Sequence, residues 1–462
     1  MKKLLSIVIL LFFTIVLAAC NNTESSTLSQ SNSSNSSNTS NWNQKEESAT
    51  SDNEWDKMEL GENGPVEIDF WHIQATIYGE AVNEIVDKFN KKYEGKIKVN
   101  NVFQGEYDAL NKKIRASIQG GGLPNVSMAY EGDALEYMKA NKIVSLDSFL
   151  KSEKYGYSQA ELDDIVPGVL ARQSIPQYDG KTMSWIHGNS AMGIYYNKEI
   201  LKQAGFDKPA TTWKEFEQQA IEIFEKTGVP ALTLPENLGA NFGIWLRTYG
   251  IEPVNLSDHT VNYDNEQALE LITIIKNLVD TGAAVIAQDT EQEFTNERAA
   301  MEIGTTARST TKIDLIENKF DWAIDLIPQG DESNKSTALW GGNHVMFKST
   351  PEEELASWVF MKYFASPEAQ SIYAAKTGYF PAVKSAQDTD LLSQDYSANP
   401  QKRQAFENVV PYARITAPTA AIRAVNDAVA TAVSLHLNNN ANGEDALKKM
   451  NMDAQESLNK YK

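Results

Sequence analysis

One cysteine in 462 residues excludes an intrachain disulfide and any zinc site built on cysteines. Five scattered histidines leave little for a histidine metal cluster, and no metal or cofactor is expected. Positive charge is scarce: 42 Lys and Arg face 62 Asp and Glu, a formal charge of −20. That balance argues against a nucleic-acid partner, which needs a basic stripe to neutralise phosphates. It argues equally against docking on anionic lipid through surface charge. No G-x-S-x-G elbow and no H-E-x-x-H helix occurs, and the triple glycine at 120–122 lacks the Lys-Ser/Thr of a phosphate loop. What is present is ordinary for a globular chain, 42% hydrophobic and 23% charged residues. The length exceeds one domain of roughly 100–200 residues.

Two patterns invite a catalytic reading. Ser309-Thr310-Thr311-Lys312 with Lys376-Thr377-Gly378 has the spacing of the S-x-x-K and K-T-G elements of penicillin-recognising enzymes. The S-D-N element is missing, and Lys226-Thr227-Gly228 shows that K-T-G arises here by chance. Asp163-Asp164 offers paired carboxylates, but adjacent helical residues point in different directions. No turnover is expected.

The single cysteine has a telling address. Lys2 and Lys3 precede an apolar run from Leu4 to Leu17, then the small residues Ala18 and Ala19. Leu17-Ala18-Ala19-Cys20 resembles the bacterial lipobox, which implies cleavage after residue 19 and acylation of Cys20. Residues 20–64 are rich in Ser, Asn and Thr at first, then acidic, and read as a disordered tether. The expected location is the extracellular face of a bacterial membrane, held by lipid.

Beyond the tether, strand and helix patterns alternate. Val66–His72 alternates as a strand, Glu80–Tyr93 places apolar residues at helical spacing, Lys96–Phe103 is a second strand, and Tyr107–Gln119 a second helix. After a third strand over 125–131, Gln177–Lys181 reads as a hairpin turn. Further helices are expected at 198–205, 212–228, 265–282, 350–365, 367–377, 401–409, 417–437 and 444–461, with strands at 193–197, 299–304, 322–327 and 344–347. Thr212 with Glu215 has capping-box spacing. Such order implies an α/β fold with ligands near the carboxyl ends of strands.

Several segments, taken in order, carry a resemblance. Trp71-His72, Gly105-Glu106-Tyr107, Pro124-Asn125-Val126 and Tyr130-Glu131-Gly132 resemble the first lobe of bacterial extracellular solute-binding proteins of ABC importers. Ile194–Lys198 with Pro209–Trp213, and the stretch Trp358–Pro381, are similar to the same proteins further on. The resemblance implies a two-lobed, type II periplasmic-binding-protein-like fold, each lobe a sheet flanked by helices, with hinge crossings between them. Lobe one would comprise 65–191 and 340–376, and lobe two 192–339 and 377–462. The implied partners are a small-molecule solute and ABC permease subunits, with the protein a monomer.

Within the family the chain looks most like glycerol-3-phosphate and glycerophosphodiester binders. Carried across position by position, their ligand-contacting set falls on Tyr107, Glu131, Ser190, Thr306 (or Thr305 in the alternative register), Gly342 (or Gly341), Tyr379 and Arg423. Arg423 would give charge-assisted hydrogen bonds to phosphate, and Glu131 would accept from vicinal hydroxyls. Each residue also has a plainer role: the tyrosines as packing aromatics, Glu131 as a solvated acid, Arg423 as a partner of Asp427 on a helix surface. Thr233–Leu238 carries no stacking aromatic, although Phe242 and Trp245 follow, so the far end of the ligand is left open. A neutral sugar on Trp71, Trp245 or Trp340 is the rival ligand, and a secreted hydrolase the rival class.

Overall fold

The computed structural model describes residues 53–461. The leader, the acylation at Cys20 and most of the tether lie outside the described residues. Packing nonetheless begins earlier than the expected boundary at 64. Trp55 is buried and stacks on Phe149, with ring centroids 4.2 Å apart, and its indole N–H donates to Ser148 Oγ at 3.0 Å. A low-hydropathy stretch thus hides one aromatic anchor, and residues 53–60 pack on the fold instead of belonging to the expected tether.

The first sheet is built from β1 (Val66–His72), β2 (Ile97–Phe103), β3 (Val126–Ala129) and β4 (Trp185–Ile186). The central β1 lies between β2 and β3, parallel to both. Helices α1 (Thr76–Lys92), α2 (Tyr107–Gly120) and α3 (Glu131–Lys139) follow β1, β2 and β3 in turn. β5 (Ser190–Asn197) leaves this sheet and becomes the core of a second, and all eight of its residues are buried. That sheet gains β6 (Leu232–Pro235), β9 (Ala284–Ala287), β10 (Met301–Thr305), β11 (Trp322–Leu326) and β12 (Thr337–Trp340), with a small β7 (Val254–Asn255) and β8 (Thr260–Val261) ribbon aside. β13 (Asn343–Met346) then returns to the first sheet, antiparallel to β3, and β14 (Ala413–Ile415) joins the second beside β12.

Each sheet carries its own helical cover. Phe89 of α1 and Phe360 of the helix Pro351–Phe364 are both fully buried, their ring centroids 5.2 Å apart. The second lobe buries Trp213 against Trp245, centroids 5.2 Å apart. Local signals hold there: the Thr212 hydroxyl accepts from the Glu215 N–H, starting the helix Trp213–Thr227. Two expectations fail. The segment at 177–181 closes no hairpin; it is a 3-10 turn over Pro176–Tyr178 leading into left-handed Asp179 and Gly180. The helix expected from Ala417 starts at Ile422; Pro418 disfavours helical backbone at Ala417 before it, and 416–421 runs as a loop. The short strands β4, β6, β9, β12 and β14 carry too few residues to show a period of two.

A candidate ligand cleft between two sheets

Between the two sheets lies a cleft of about 1080 Å³. One wall is made by the starts of α2 and α3, the other by Thr305, Ala307 and the loop 415–420, and the back by the strands that cross between the sheets. The walls touch directly. The Tyr78 hydroxyl donates to the Ala307 carbonyl at 3.2 Å, and a β-carbon on Gly132 of α3 would lie 3.3 Å from the Thr419 carbonyl carbon. Glycine at 132 lets these backbones approach.

Five of the seven expected residues line this cleft, namely Tyr107, Glu131, Ser190, Tyr379 and Arg423. Tyr107 opens α2 and lies against Tyr130, centroids 4.5 Å apart. Tyr379 lies against Tyr373 at 5.2 Å and edge-on to Tyr78 at 5.8 Å, and burial raises the pKa of its phenol. Glu131 is the first residue of α3, where the helix dipole favours a carboxylate. It accepts from Asn343 Nδ2 at 3.1 Å and is ion-paired with Arg172. Arg423 stands at the mouth, its side chain 75% exposed, and pairs with Asp108 of α2 at 3.2 Å. That guanidinium holds the Asp108 carboxyl below its usual range.

The other two positions sit differently. Thr306 is buried, and its hydroxyl accepts from the Ala191 N–H at 3.0 Å, so it is spent on the fold. Thr305, the alternative register, lines the cleft. Gly341, the alternative to Gly342, also lines it, at φ +120°, where a β-carbon would collide with the Gly188 carbonyl. Gly342 lies behind, against the Tyr107 hydroxyl.

Arg172 escaped the sequence reading. It is 1% exposed, yet it lines the cleft. Besides Glu131, its guanidinium donates to Asn189 Oδ1 at 3.3 Å, to the Trp340 carbonyl at 3.5 Å and to the Gly341 carbonyl. One buried cation therefore ties the cleft carboxylate to both crossing strands. The only signal for it is an arginine directly after a stretch with no polar side chain, Ile165–Ala171. Among the described residues, no group of acids, histidines or cysteines has the arrangement of a metal site.

The sequence profile of the bacterial extracellular solute-binding proteins matches residues 84–404. The chain belongs to that family. It is a solute-binding protein of an ABC importer. Among curated relatives, the sn-glycerol-3-phosphate-binding periplasmic protein UgpB of Pectobacterium atrosepticum is 22% identical over 360 residues, 74% of this chain and 79% of that one. In fold the chain is similar to the cyclic alpha-maltosyl-1,6-maltose binding protein of Arthrobacter globiformis, with a TM-score of 0.74 and 21% identity over 86% of this chain and all of that one. UgpB of Mycobacterium tuberculosis, solved in complex with glycerophosphocholine, gives a TM-score of 0.71 at 19% identity over 86% of this chain and 99% of that one.

Proposed function

We propose that this solute-binding protein captures a small polyol phosphate, glycerol-3-phosphate or a glycerophosphodiester, and hands it to the permease without chemical change. The observation that carries this reading is the pairing state of its three cleft arginines, of which Arg115 is held by both oxygens of Glu136. Arg172 is buried and committed to Glu131 and the crossing strands, so it is not available to a ligand without large cost. Arg423 is held only by an exposed carboxylate, and exposed pairs contribute little. A phosphate can displace Asp108 from Arg423, while polyol hydroxyls meet Glu131, Ser190, Thr305 and Tyr379 deeper in. The name of the curated relatives points to the same ligand class.

The lobes would comprise 65–191 with 340–376 and 192–339 with 377–462, a monomer closing on its ligand. Closure follows only from tighter binding to the closed form. A lipid on Cys20 would hold the protein on the outer face of the membrane. A second reading, a neutral sugar, is favoured by Trp340, which faces the cleft. Titration calorimetry separates them: glycerol-3-phosphate should bind, and Arg423→Ala should weaken it about tenfold or more. Undiminished binding by Arg423→Ala, or binding of oligosaccharide alone, overturns the phosphate reading.

A further inference from the structure

In the second sheet β10, β6 and β9 run side by side and parallel, so their carboxyl ends come out on one edge. Ligands of open α/β sheets lie outside such edges. Here the edge opens on a chamber of about 600 Å³, lined by Pro235 at the end of β6, Gln288 and Asp289 after β9, and Thr305 at the end of β10. Thr305 and Trp340 line both this chamber and the main cleft. The cleft alone already matches the largest sites of drug-sized ligands, about 1,000 Å³. A three-carbon polyol phosphate leaves most of that space unfilled.

The chemistry of the walls selects the occupant. Three carboxylates and two cations meet there, but nearly all are engaged with one another. Lys312, fully buried, lies 2.9 Å from both Glu291 and Glu302, and Arg308 pairs with Glu291. Thr290 donates to Glu302 at 3.3 Å, and Asp289 accepts from the Gln292 N–H at 3.0 Å. Only Asp289, exposed and with one oxygen capping the helix that follows, forms no ion pair among the described residues, and the excess of acid disfavours a second anion. The side-chain amides of half-buried Asn241 and exposed Gln288 form no hydrogen bond with any described residue, and each offers both donors and an acceptor. Met192 and Trp340 supply apolar surface beside them.

We propose that cleft and chamber form one site, and that the ligand carries a second, uncharged, hydroxyl-rich unit bound by Asn241 and Gln288 beside Trp340. This rests on the cleft being the binding site, not on the phosphate. The test is calorimetry of the protein and of the double variant N241A/Q288A with three probes: glycerol-3-phosphate, glycerophosphoinositol and maltotetraose. Melting curves of the double variant check that it folds. The expected result is that an extended probe binds more tightly than glycerol-3-phosphate, and that the double variant weakens it about tenfold. Glycerol-3-phosphate should keep its affinity within about twofold, since neither amide is among the residues lining the main cleft. An extended probe that binds no tighter, or that ignores the double variant, overturns the chamber while leaving the phosphate reading intact. Maltotetraose binding that depends on the two amides, with no binding of either phosphate, keeps the chamber and removes the phosphate. Binding of none of the three overturns both.

Discussion

Asp108 and Arg423 meet across the mouth of the cleft, joined at 3.2 and 3.3 Å, one on α2 beside the first sheet and the other at the start of the helix Ile422–Leu437 in the second lobe. An anionic ligand and the Asp108 carboxylate compete for the same guanidinium. Asp108→Asn should therefore tighten glycerol-3-phosphate binding severalfold, while Arg423→Ala weakens it. Opposite signs from two partners of one ion pair would not arise if the pair only held the lobes together. Calorimetry of both variants at low and at 0.5 M salt reads the effect, which added salt should shrink.

Arg172 and Glu131 form the opposite kind of pair, with side chains only 1% and 14% exposed. Removing the guanidinium leaves a carboxylate facing the cleft floor without its countercharge. Arg172→Met should cost about 3–5 kcal/mol of unfolding free energy in urea. The double variant R172M/E131Q should recover part of that loss, because the stranded charge is gone. A single variant as stable as the parent would show the pair to be dispensable.

Three histidines lie under the crossing strands. His187 Nδ1 and His344 Nε2 are 2.8 Å apart, and His72 is buried beside Phe70. Burial lowers all three, His72 to about 4 and His344 to about 3. The unfolded chain titrates near 6.5, so between pH 6.5 and 4 it binds protons that the folded protein refuses. Their stability contribution is full above pH 6.5 and falls as the pH drops, by about 1.4 kcal/mol per unit for each histidine. His72→Asn, which keeps an acceptor for the Gln74 N–H, should flatten the dependence of unfolding free energy on pH between 6 and 4.5. An unchanged slope would mean that His72 is not held neutral.

Long periodic elements were legible from residues alone. Val66–His72 and the helix from Tyr107 fall where expected, since one face of each shows a clear apolar rhythm, while the helix expected at 80–93 begins four residues earlier, at Thr76. Site residues from α2, α3 and β5 could be placed in order, and Tyr107, Glu131 and Ser190 do share one cleft. The register at Thr305 and Gly341 was ambiguous because each has an identical neighbour, at a strand end or just beyond one, where no alternation tells which of the two faces the cleft. Arg172 was missed because its partners, a carboxylate, a side-chain amide and carbonyls, lie 17 to 169 residues away in the chain. Nothing local announces such a contact.

The strap at 53–60 makes the last prediction. Trp55 is 6% exposed, and around it Asp56 accepts from the Lys154 N–H at 3.0 Å while Tyr155 donates to the Met58 carbonyl at 2.8 Å. Removing the indole forfeits both its burial on Phe149 and its bond to Ser148, the class of change that costs about 3–5 kcal/mol in a closed core. At the edge of a lobe the neighbours can collapse, so Trp55→Ala should sit at or below the lower end of that range. Because none of these residues lines the cleft, ligand affinity should stay unchanged. Hydrogen exchange should rise over 53–60 and 148–155 only, as expected if a local unit opens by itself. Exchange that also rises in β1 and β3 would instead make the strap a part of the core of the first lobe, since only then would its release loosen the central sheet.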